Sequence, residues 1–181
     1  DYPVHLDFGP DGALYVAGGV LATYGTRFIN NIATSGGAIY QGGSASAYIT
    51  NTLLARNTAT SGNGMALHLN TSGGTAYAVH TTIATPTIAS GNAIYVDGGN
   101  FSSTNTILIN HGTGIVKETS GSVQEDYNLF YGNTKNFTHT GAIAVVSPGN
   151  TLIGDPTFVS INTDDYHLQE TSMAIERGYT Q

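Results

Sequence analysis

Of the 181 residues, only 9% are Asp, Glu, Lys or Arg, against roughly 25% in an ordinary soluble domain. Twelve acids against five Lys and Arg leave a formal charge of −7, so no basic face can be assembled. Nucleic acid and an anionic membrane surface are therefore excluded as partners. No apolar run approaches the roughly 20 residues of a spanning helix, so no membrane insertion is expected, and the absence of Cys removes disulfides and thiolate sites.

Polarity is carried by hydroxyls and amides, with 24 Gly among them, a composition suited to short strands and tight turns rather than helices. The chain starts at Asp1 without Met or a signal peptide and reads as a mature form or a fragment. In chain order, Tyr2, Val4, Leu6 and Phe8 alternate as a strand does. They read as a remnant of a preceding coil or as a strand closing an open end. A bare edge there predicts end-to-end self-association. Asp7 to Gly12 reads as a turn.

A repeated element then begins: a small residue, Ile or Leu, then often an aromatic. It is Ala13-Leu14-Tyr15, Ala38-Ile39-Tyr40, Ala66-Leu67-His68 and Ala93-Ile94-Tyr95, weakening to Gly114-Ile115-Val116 and returning as Ala142-Ile143-Ala144. The intervals are 25, 28, 27, 21 and 28 residues. A second element alternates with it, fullest as Asn51-Thr52-Leu53-Leu54-Ala55-Arg56-Asn57. Its other copies start near Thr26, Thr81, Asn105, Tyr127 and Asn150.

Two elements sharing one period mean coils, each unable to bury its apolar side alone. The expected fold is all-β, a right-handed parallel β-helix of about six coils in one domain. Residues 1–154 form the coils and 155–181 a C-terminal cap. At about 4.8 Å per coil the rod is about 29 Å tall. Leu14, Ile39, Leu67, Ile94, Ile115 and Ile143 should form one inward column. Leu53 and Leu54 cannot both point inward, and the pattern leaves open which one does.

Phe28-Ile29-Asn30-Asn31 with Gly36-Gly37-Ala38-Ile39-Tyr40 resembles one coil of polymorphic outer-membrane-protein repeats. Over most of its length the chain resembles secreted bacterial β-helix proteins of the choice-of-anchor type, related in shape to pectate lyases. The carrying motifs are Asp155-Pro156-Thr157-Phe158, Asp165-Tyr166-His167-Leu168 and Ser172-Met173-Ala174-Ile175-Glu176-Arg177-Gly178. Met173 and Glu176 stand where those proteins carry Pro and Asp. The resemblance implies the fold and a secreted or cell-surface setting, and no particular activity. Phe158, Tyr166, Leu168 and Ile175 are placed to fold over the last coil.

Polysaccharide lyases and glycoside hydrolases need convergent carboxylates, or a cation site with a base. The best local cluster is Lys117, Glu118, Glu125 and Asp126, which reads equally as a solvated loop between coils five and six. Neighbours on a strand face opposite ways, so adjacency argues against a shared site. The six His lack metal-ligand spacing; no metal and no cofactor is expected.

Tyr15, Tyr40, His68 and Tyr95 occupy the outward slot of successive coils. They form a ladder suited to sugar rings, or one that only stacks coils on each other. A hydroxyl column of Thr26, Thr52, Thr82, Thr106 and Thr151 offers a surface of the kind ice-binding solenoids use, or merely reflects the fitness of Thr for strands. The expected function is a non-catalytic extracellular or surface scaffold contacting a polysaccharide or a host or cell-surface glycan. A polysaccharide-active enzyme and an ice-binding surface are the alternatives.

Overall fold

The computed structural model describes residues 5–8, 14–17, 19–141 and 149–180. The chain winds into an all-β parallel solenoid of about five turns with one short 3-10 turn, Ile161–Thr163. The sixth copy of the first element, Ala142-Ile143-Ala144, lies outside the described residues.

Three parallel sheets run the length of the rod. The first takes the strands Leu14–Ala17 and Ile39–Gly43, the start of Leu67–Val79, stretches within Thr82–Thr104 and Ile107–Asp126, and finally Lys135–His139. Its register aligns Leu14, Ile39, Leu67, Ile94 and Ile115, all buried. The next place in that column belongs to Phe137 rather than Ile143. Ile115 was followed at the wrong interval, because Phe137 lacks the small-Ile-aromatic signature.

The second sheet stacks Leu21–Tyr24 and Ala47–Thr50 on the ends of the three long strands. The third stacks Arg27–Ile29, Leu53–Ala55, the starts of Thr82–Thr104 and Ile107–Asp126, then Leu129–Tyr131 and Leu152–Ile153. Its register answers the Leu53 and Leu54 question. Phe28, Leu54, Ile83, Leu108, Phe130 and Ile153 align, and Leu54, Ile83, Leu108 and Phe130 are buried in the core. Leu53 lies in the neighbouring column on the outer side.

The corner between the second and third sheets explains the Asn-Thr signature. Gly25, Asn51, His80, Asn105 and Tyr127 hold the same corner with φ between 49° and 59°, the left-handed region that Asn and Gly adopt most readily. The next residue turns inward. Thr52, Thr81, Thr106 and Asn128 are buried and donate to backbone carbonyls of the corner: Thr50, Ile49, Ala78 and Ser103 respectively. This is the hydroxyl column, with Thr81 in place of Thr82. Thr52, Thr81 and Thr106 thus spend their hydroxyls inside the rod rather than on its outer surface.

Gly36 and Gly37 show why one coil carries paired glycines. Gly36 has φ +64°, and a Cβ on Gly37 would lie 2.5 Å from the carbonyl oxygen of Met65. The first glycine makes the turn, and the second lets two coils touch backbone to backbone.

At the N-terminal end the chain takes the second of the two expected forms, a strand that closes the edge. His5–Phe8 pairs antiparallel with Leu14–Ala17, closing that edge of the first sheet as a hairpin. At the other end Ile153, the last of the third-sheet inward column, is 66% exposed. The C-terminal segment packs beside the last turn, where Met173 meets Gly154. It runs along the flank of the third sheet. Arg56 in the second turn grips Asp164, and Asn105 in the fourth grips Tyr179. The segment contains an antiparallel pair, Phe158–Ser160 with Asp165–Leu168, closed by a Phe158–Tyr166 ring contact.

Candidate functional site

The first-sheet register places Tyr15, Tyr40, His68 and Tyr95 side by side in successive turns. Their ring centroids are 5.8, 4.9 and 5.0 Å apart, with interplanar angles of 38°, 65° and 88°. The two His68 contacts are edge-to-face, the arrangement ring quadrupoles favour, and the Tyr15–Tyr40 pair is tilted. Little face is left for a ligand.

His68 is buried, hydrogen-bonds Ser35 Oγ through Nδ1, and leaves Nε2 buried without a partner. Burial holds its pKa below the usual imidazole value, against an opposing pull from Asp97. Tyr95 donates to Glu118 Oε1 at 3.0 Å, and burial together with that carboxylate pushes its pKa up to about 12. Glu118 Oε2 accepts from Thr140 at 2.6 Å. The ladder is thus tied down at His68 by Ser35 and at Tyr95 by Glu118.

The four acid and base candidates do not converge, and they are not a solvated loop. All four lie on the strand Ile107–Asp126. Lys117 stands two residues beyond inward Ile115, so the period of two turns it inside, where it is 1% exposed. Its Nζ donates to the Glu118 carbonyl at 3.1 Å. Glu125 follows inward Val123 and is fully buried, accepting from Asn128 Nδ2 at 2.9 Å and Thr151 Oγ1 at 2.5 Å. Glu118 points outward into the ladder. Asp126 sits at the corner, bonded by the Tyr127 N–H and by Asn150 Nδ2. The buried pair gives the last full turn a polar interior rather than a reactive cleft.

A second aromatic group, unseen in the sequence, lies on the outer face of the second sheet. Tyr48 and Tyr77 are register partners, stacked at 5.2 Å with planes 9° apart. They are 42% and 37% exposed, and Tyr24, diagonal to Tyr48, is 71% exposed. The other outward positions of the first four turns here are Ala22, Thr50, Val79, Ser102 and Thr104, without a charge among them. The signal was present: Ala47-Tyr48 and Ala76-Tyr77 repeat at 29 residues, but they belong to a strand that neither recognised element covers.

The flank carries a groove of about 520 Å³ between the third sheet and the C-terminal segment. Its floor is the outward column Thr82, Ile107, Leu129 and Leu152. Its far wall includes Leu168, Ala174, Glu176 and Arg177. Tyr179 closes it against the corner: its N–H donates to Asn105 Oδ1 at 2.7 Å, its carbonyl accepts from Asn105 Nδ2 at 3.1 Å, and its ring meets Tyr127 at 5.4 Å. Sequence reading missed the groove because no local motif joins its walls, which include Thr82 and Arg177, far apart in the chain.

No protein-family model, curated protein or solved structure matches the chain. The fold alone defines its class, a parallel β-solenoid.

Proposed function

We propose that the chain is a non-catalytic scaffold, working outside the cell or at its surface, that contacts neutral glycans through Tyr24, Tyr48 and Tyr77. The observation that carries this reading is the exposure of three tyrosines on one flat, uncharged sheet face. Aromatic rings supply apolar area to the C–H faces of a sugar and a hydroxyl to its rim. Small residues around them, Ala22, Thr50 and Ser102, leave the rings proud of the surface. The ladder of Tyr15, Tyr40, His68 and Tyr95 serves instead to hold the turns together, because His68 is buried and its three tyrosines are half-buried, whereas Tyr24, Tyr48 and Tyr77 are exposed. A net charge of −7 disfavours acidic polysaccharides at long range.

Affinity electrophoresis through neutral and acidic polysaccharides tests the reading. Retardation is expected on a neutral glycan, falling about tenfold in affinity for Tyr48→Ala with Tyr77→Ala, as loss of aromatic anchors does. Retardation unchanged in that variant, or confined to acidic glycans, overturns it. Incubation with polygalacturonate, with or without Ca²⁺, should release no product; product that depends on Glu118 or Lys117 would make the chain an enzyme.

A further inference from the structure

We propose that the flank groove is a binding site for a single-chain amphiphile with a carboxylate head, a molecule of the fatty-acid kind. The site is separate from the tyrosine face and independent of the glycan reading.

The shape of the groove argues for an extended chain. Its floor passes from Thr82 in the third turn to Leu152 in the last, three coil steps, or about 14 Å at the spacing of parallel strands. Ile107, Leu129 and Leu152 lie along that line, and Leu168 and Ala174 face it from the C-terminal segment. A volume of about 520 Å³ falls within the range of small-molecule sites. Ile107, Leu129 and Leu152 set outward apolar side chains in three consecutive turns, an apolar strip continuous along the rod. Leu129 in the middle of the floor is buried, while Thr82, Ile107 and Leu152 stay partly exposed along it.

The head group follows from charge. Of the five Lys and Arg, Arg27 and Arg56 hold the Asp164 loop, Lys117 is buried, and Lys135 lies on the first sheet. Arg177 alone lines this groove, and its guanidinium has no hydrogen-bond or ion-pair partner among the described residues. A planar guanidinium beside an apolar channel matches a carboxylate at the end of an acyl chain. Glu176 also lines the groove, likewise unpaired among the described residues. Its charge opposes the same head group, so the two side chains should act with opposite signs.

Dodecanoate below its micellar concentration is the probe, titrated calorimetrically into the full chain, with dodecanol as the neutral control. Saturable one-to-one binding of dodecanoate is expected, tighter than that of dodecanol. Arg177→Gln should weaken it about tenfold, the scale of one charge-assisted hydrogen bond. Glu176→Gln should tighten it, and Ile107→Thr, which keeps a β-branched strand residue, should weaken both ligands. Both charged positions are exposed, so these variants leave the fold intact. Tyr48→Ala with Tyr77→Ala should leave dodecanoate affinity unchanged while lowering glycan affinity about tenfold, which separates the two sites. Absence of saturable binding, equal affinity for dodecanol, or indifference to Arg177→Gln overturns the proposal.

Discussion

Arg56 and Asp164 lie 108 positions apart in the chain and 2.6 Å apart in the fold. Arg56 also donates to the carbonyls of Ile161 and Asn162, at 2.9 and 2.8 Å. It does so from a backbone position with φ 55°, held by Asn30, Asn110 and Gly132 at similar corners of other turns. Arg56→Asn should therefore remove the clasp while easing the backbone. The expected result is little change in global stability, within about 1 kcal/mol for an ion pair this close to solvent, but faster hydrogen exchange across residues 161–166. Equal exchange in both proteins would show that the clasp holds nothing.

The same clasp should loosen in acid. Hydrogen bonding from Arg56 holds the Asp164 pKa below the usual carboxylate value. A carboxylate with a depressed folded pKa stabilises fully above its unfolded value and loses that contribution as pH falls through the folded one. In wild type the exchange of 161–166 should rise below about pH 4, the ordinary carboxylate range. In Arg56→Asn it should already be high at neutral pH.

His111 sets a second pH dependence, at a higher range. It is 1% exposed with Nδ1 lacking a partner, and burial pushes its pKa from 6.5 down to about 4. The folded chain keeps the ring neutral while the unfolded chain protonates it. Stability is thus full above pH 6.5 and falls as the pH drops toward 4, by about 3 kcal/mol at 1.36 kcal/mol per pKa unit. His68, shifted the same way by burial, adds to the loss. Urea midpoints at pH 7 and pH 4.5 should differ less in His111→Asn than in wild type. An identical difference would place the dependence elsewhere.

Core positions should separate cleanly from their neighbours. Leu54→Ala and Ile94→Ala, both in buried columns, should each cost about 2–5 kcal/mol in denaturant unfolding. Leu53→Ala, one residue from Leu54 but facing out, should cost about 1 kcal/mol or less. Similar costs at 53 and 54 would contradict the third-sheet register.

Gly37→Ala tests the backbone contact between turns. The added methyl meets the Met65 carbonyl at 2.5 Å and Thr58 at 2.7 Å, neither of which can swing aside as a side chain would. A loss of about 1–3 kcal/mol is expected, as for overpacking, and an unchanged thermal midpoint would refute the contact.

The coils were legible because two motifs kept phase, and the left-handed corner with its inward hydroxyl left the visible trace Asn51-Thr52 and Asn105-Thr106 in the second of them. Where other residues fill the same corner, as at His80 and Tyr127, the trace fades but the geometry persists. Phe137 escaped because only its register identifies it. Lys117 and Glu125 read as surface because charge suggests solvent, yet strand alternation carried both inside. The second-sheet tyrosines sit on strands with small inward residues, Ala47 and Ala76, that give little hydrophobic signal. The groove depends on a chain reversal that no local pattern encodes.

Solenoid turns normally meet only the turns above and below, so such rods can melt from the ends inward one unit at a time. Here a single length of chain is bonded to the second turn at Arg56, to the fourth at Asn105 and packed on the last at Gly154. Unzipping the last turn must then strain attachments two and four turns away. Partly melted states lose their own pairing and the shared belt together, which raises their free energy relative to both end states. The rod should behave less like a stack of separable units and more like a single switch, unfolding over a narrower denaturant range than its repeats alone would give.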